Sequence, residues 1–215
     1  MDIKDSQKAL VKAFKDNINR ITFKGAKRMV SGSRAEFLFP NGTVVVLGYA
    51  TVKRGLPKGQ FAVYSFLSVK DGPIYQIMDK THLAKSGSFW GKGLLRATSH
   101  GLIKPGNYHI RNGTEIEKVA KQILKDMEKV FTPIVRAFTG GYPKAFNFVL
   151  KSRGKYVRNP FTLCVILLVL DKSLGKLDVL INEAGKYDSF YDFKKVKDIR
   201  KQIVTPVTEW LKRQC

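Results

Sequence analysis

The chain has 215 residues, and 39 Lys+Arg against 17 Asp+Glu give it a formal net charge of +22. Hydrophobic residues make up 44% and aromatic residues 11%, which supplies a core and argues against disorder. Two cysteines without a CxxC exclude a disulfide framework and a CxxC zinc or redox site, and the longest apolar run, Phe161 to Leu170, is half of the roughly 20 residues a membrane span needs.

A reducing compartment fits this cysteine usage, and the N-terminal MDIKDSQKAL lacks an apolar signal-peptide core, so a soluble cytoplasmic protein is expected. The length predicts one compact unit over residues 1–215, with an α+β part over 1–139 and a helical part over 142–215. The first 160 residues carry +19 of the +22, with no block of five or six consecutive like charges. The charge therefore decorates folded elements and points to a shaped basic surface for a polyanion.

Residues 5–19 read as an amphipathic helix capped by Asp5 or Ser6. Leu10, Val11, Phe14 and Ile18 form its apolar stripe, and Lys4, Lys8, Lys12 and Lys15 its basic face. That face is either plainly solvated or tracks phosphates. Over 21–70 the period changes. Runs at 34–40, 43–52 and 60–70 are rich in β-branched and aromatic residues, and Asn41-Gly42 and Gly55 to Gly59 supply turns. An antiparallel meander follows, with Tyr64 and Phe66 on faces the pattern does not assign. Residues 79–113 are irregular, with a short strand expected near 107–111.

Thr114 and Glu117 match a capping box. The helix they open runs to Gly140-Gly141, with a kink expected at Pro133. A shorter helix is expected after Pro143. Asn159-Pro160 starts another, whose run FTLCVILLVL is apolar all round and so belongs at the centre of the fold. A break at 172–175, a segment over 176–184 and a last helix over 192–213, bent at Pro206, complete the reading. The fold class expected is α+β: an antiparallel meander of three to five strands packed by helices, with a helical C-terminal part.

Catalytic patterns are thin. There is no HExxH, GxSxG, Walker loop or GxGxxG, and residues 80–113 hold no carboxylate for a two-metal site. Cys164 lies among Leu163, Val165 and Ile166 and reads as an inert core thiol. One enzymatic route stays open, a metal-independent ribonuclease using His82, His100 or His109 with Lys92 and Arg96. No cofactor or metal is expected.

Basic residues interleaved with aromatic ones give the stronger pattern. Lys80, Lys85, Lys92 and Arg96 flank Trp90, and KSRGKYVRNP places Lys151, Arg153, Lys155 and Arg158 around Tyr156. The cations would neutralise phosphates and the rings would stack on unpaired bases. In the alternative, Trp90 and Tyr156 plug the core.

The order of elements adds a resemblance. A leading helix (Gln7 to Asn19) runs into INRITFKGAKRMVSGSRAEFLF, then a meander, an irregular segment, a long helix with FTPIVRAF and a helical end. Over residues 7–138 this order resembles an uncharacterised bacterial α+β domain-of-unknown-function family, some of whose members lie near polymorphic-toxin immunity genes. The resemblance implies a protein-binding module, such as an immunity protein, here docking an acidic partner. The expectation from the residues themselves is a non-catalytic protein that binds RNA or DNA through phosphate contacts.

Overall fold

A computed structural model of the chain describes residues 3–70, 72–81, 83, 94–100, 102–103, 106–111, 114–157 and 159–214. The chain divides into two compact units. One takes residues 1–40, 44–69 and 96–135, and the other takes 41–43, 70–95 and 136–215. The architecture is α+β, a mostly antiparallel sheet with a helical C-terminal part.

The sheet comprises β1 (Lys27–Ser31), β2 (Arg34–Leu38), β3 (Val44–Val52), β4 (Phe61–Lys70), β5 (Leu95–Thr98) and β6 (Tyr108–Ile110). Its order is β1-β2-β3-β4-β5, and β6 also pairs with β4. Alternation sorts its two faces. Phe61, Val63, Ser65, Leu67 and Val69 of β4 are fully buried, as are Phe37, Val45 and Leu47 of β2 and β3. Over this inner face lies α1 (Ile3–Asn17), whose Phe14 meets Tyr49 edge-on at 5.3 Å. Next to α1 packs α3 (Ile116–Asp126), and the Tyr108 hydroxyl donates to Asp126, tying that helix to β6.

In the second unit, α6 (Pro160–Leu170) is the hub. Residues 160–168 are buried around its whole circumference, as an all-round apolar helix requires. It packs against α2 (Pro73–Lys80), α5 (Tyr142–Lys151), α7 (Leu177–Gly185), the 3-10 segment Asp188–Lys195 and α8 (Thr205–Lys212). Asp192 caps it from outside. One carboxylate oxygen accepts from the backbone N–H of Thr162 at 3.4 Å and from its hydroxyl at 3.3 Å. Burial pushes the Asp192 carboxyl above the usual carboxylate range, while the hydrogen bonds from Thr162 and Phe161 pull the other way.

Several expected elements differ. The capping box does not form: the Thr114 hydroxyl accepts from the Arg111 N–H, and Glu115 precedes the helix without a side-chain cap. The long helix is interrupted by a π-helical turn, Met127–Phe131, before α4 (Thr132–Thr139). The continuous helix over 192–213 is replaced by the 3-10 segment, a second π turn at Arg200–Val204 and α8. Both π turns immediately precede a Thr-Pro pair, Thr132-Pro133 and Thr205-Pro206. A proline ring clashes with the carbonyl four residues back and offers no N–H, so widening the preceding turn accommodates it. Three elements, β1, α2 and β5, were not anticipated.

Candidate functional site

The segment 152–157 follows α5 as a tight non-helical turn. Arg153 adopts φ +53° and Gly154 φ +70°, both in the left-handed region. Glycine tolerates this freely and arginine does not. At Gly154 a side chain has no room, since a Cβ would lie 2.7 Å from Pro160. The strained Arg153 is held from outside. Its carbonyl accepts from the Ser189 hydroxyl, and its guanidinium lies 4.7 Å from the centre of the Tyr187 ring. These two contacts bring 152–157 against the segment 187–195.

Two more cation–ring pairs stand on these segments. The Lys155 ammonium is 5.5 Å from the centre of the Tyr156 ring, and the Lys195 ammonium is 4.9 Å from that of Tyr191. Tyr156 is half-buried and lies nearly parallel to Phe148, at 6.2 Å and 15°. It is therefore partly covered by Phe148 and partly presented. Tyr191 is 55% exposed. Arg153, Lys155 and Lys195 are exposed and make no ion pair with a carboxylate among the described residues. Lys194 differs, being bound to Asp188 at 2.8 Å.

Of the residues expected to bind, Lys151, Arg153, Lys155 and Tyr156 come together here. Lys80 is exposed at the C-terminal end of α2. Two described residues from the stretch around it meet the 151–159 segment: the Leu83 carbonyl accepts from Asn159 at 3.4 Å, and Leu95 forms an antiparallel bridge with Val157. Arg96 belongs to the first unit, half-buried on β5 and partnered. Lys85, Trp90, Lys92 and Arg158 lie outside the described residues. Tyr187, Tyr191 and Lys195 were missed by sequence reasoning, because only the fold sets Tyr187 beside Arg153.

In the first unit, Lys4, Lys8, Lys12 and Lys15 stand exposed along α1 without ion pairs among the described residues. At 1.5 Å per residue this row is about 16 Å long. No group of three or more metal-ligating side chains occurs among the described residues, and none of their helices is long and apolar enough to cross a membrane. Cys164 is fully buried. Burial and then the nearby Asp192 push its thiol far above the ordinary range, so it is no nucleophile. His100 and His109 are exposed on the first unit, and His82 lies outside the described residues. Comparison with protein-family models, with curated proteins and with solved structures finds no match to this chain.

Proposed function

We propose that this is a non-catalytic binding protein that engages a polyanion, nucleic acid, through a basic surface of its second unit. The reading is carried by three cations resting on three tyrosine rings, Arg153 on Tyr187, Lys155 on Tyr156 and Lys195 on Tyr191. A cation held by a ring keeps its full charge for an outside anion, whereas one held by a carboxylate does not. The ring also orders a flexible side chain beforehand, which lowers the entropy lost on binding.

The guanidinium of Arg153 suits a phosphate, since its fork can donate to two oxygens at once. Contacts of this kind give affinity and orientation with little sequence readout. Lys80 and Lys151 add charge, and Lys85, Trp90, Lys92 and Arg158 join the proposed interface on sequence grounds. A reducing, cytoplasmic setting belongs to the same proposal.

The test is binding of labelled RNA and DNA at low salt, after nuclease treatment and a high-salt wash have removed carried-over nucleic acid. Arg153→Ala with Lys155→Ala is expected to weaken binding about ten-fold, uniformly across sequences. Unchanged affinity in this double variant would remove the surface from the interface. Tight binding to one defined acidic protein, with none to nucleic acid, would replace the reading with a protein-docking module.

A further inference from the structure

We infer that a cleft between α1 and the inner face of the sheet, within the first unit, is a small-ligand site that takes a pyrimidine nucleotide, with the ring in the cleft and the phosphate on the lysines of α1. The site is separate from the basic surface of the second unit and stands without it.

Leu10 of α1, Tyr49 of β3 and Phe61 of β4 form the floor of the cleft, each only 1–4% exposed. Gln7, Val11, Ser33 and Thr51 stand around them, partly or fully exposed, and make its mouth. The fold holds these walls in place. The Tyr49 N–H donates to the Ser33 carbonyl at 3.1 Å, and Phe14 meets the Tyr49 ring edge-on. The open volume is about 200 Å³. An apolar cavity of roughly 150 Å³ accepts a benzene ring, so one six-membered ring fits here.

The Tyr49 hydroxyl is buried and has no hydrogen-bond partner among the described residues. A buried phenol usually has one. Burial pushes this phenol up to about 12, so at neutral pH it keeps its proton and is a donor. It therefore lacks an acceptor, and the cleft that Tyr49 borders is the open space from which a ligand supplies one. A carbonyl on the edge of a ring meets that demand. Ser33, Thr51 and Gln7 add hydroxyl and amide groups at the mouth.

Beyond the mouth the surface is cationic. Gln7 and Val11 also line an open groove along α1, together with Lys4, Lys8, Lys12 and Lys15. On a helix, residues three and four apart are neighbours, which sets Lys4, Lys8 and Lys15 beside Gln7 and Val11. These lysines are exposed and pair with no carboxylate among the described residues. Asp16 is the one carboxylate lining the groove, and its position five residues after Val11 turns it away from the cleft. A donor on the floor and cations at the rim select a ligand with a ring acceptor at one end and an acidic group at the other. A pyrimidine nucleotide has that order. Benzoate does not, because its only acceptors are those of the acid itself.

The test is calorimetric titration of the purified chain at low salt with uridine monophosphate, uridine and ribose 5-phosphate. The monophosphate is expected to bind about ten-fold tighter than either half. Tyr49→Phe removes only the hydroxyl and is expected to weaken the monophosphate about ten-fold. Without ligand this variant is expected to melt no lower than wild type, because the lost hydroxyl had no partner. Lys4→Gln with Lys8→Gln is expected to weaken the monophosphate and to reduce its salt dependence. An oligouridylate separates the two sources of the nucleotide. Strand binding that falls in Tyr49→Phe identifies an unpaired residue of nucleic acid, and strand binding that does not fall identifies the free nucleotide. Wild type that binds neither monophosphate nor strand, or Tyr49→Phe that binds both as well as wild type, would overturn the site. A melting point of Tyr49→Phe clearly below wild type would overturn it too, since the hydroxyl would then already have a partner. None of these results touches duplex binding through Arg153, which is assayed separately.

Discussion

Arg153 shows how one residue can serve both the fold and the proposed interface. Its positive φ is unfavourable for a residue with a Cβ, by about 1 kcal/mol or more, and the turn holds it there through Ser189 and Tyr187. The alternation of cations with Tyr156 was visible in KSRGKYVRNP. The ring beneath Arg153 was not, because residues 34 apart in sequence meet only after α6 and α7 have packed. Asp192 is the second instructive residue. One of its oxygens caps α6, while the other is buried with no hydrogen-bond partner. Its carboxyl is held above the usual range, mainly by burial. An acid of this kind binds its proton more tightly in the fold than in the unfolded chain. The resulting contribution to stability is present at low pH and is lost as pH rises through the folded-state value. Asp192→Asn is therefore expected to lose less stability than wild type from about pH 4 to about pH 7, as measured by urea unfolding at the two pH values. A variant that loses as much as wild type would place the charge elsewhere.

Helices whose pattern is set by their own apolar residues were the easiest elements to read. α1 and α6 stand where periodicity and Asn159-Pro160 placed them, because an amphipathic stripe or a fully apolar run dictates its own burial. β1 was not legible. Its residues KRMVS are almost entirely exposed at the sheet edge, so it carries no apolar alternation, and its pairing is set by the two-residue turn to β2. The stretch 192–204 was misread because its apolar residues suit a helix, yet Asp192 is drawn to the end of α6 within a 3-10 segment. α6 organises its unit, so truncation there is costly. Phe161→Ala removes a fully buried ring next to Phe193, and about 3–5 kcal/mol of unfolding free energy is expected to go with it. A loss below about 1 kcal/mol in a denaturant titration would contradict the central position of this helix.

Across the molecule, the charge sits on ordered elements: a lysine row on α1, the outer strands, and the turn and 3-10 segment around Arg153. Composition alone pointed to the charge of the proposed partner, since +22 on 215 residues favours a polyanion. It did not give the surfaces, because which cations lie on rings and which on carboxylates is decided by folding. The central claim is that the exposed cations of α1 and of the turn around Arg153 displace counterions from phosphates. It is tested most directly by the slope of log affinity against log salt for a DNA duplex. The account predicts a linear fall with a slope of about −3 or steeper, since each neutralised phosphate contributes about −0.9. It further predicts a slope shallower by about one in each of Arg153→Ala and Lys155→Ala. Affinity that does not change with salt would contradict it.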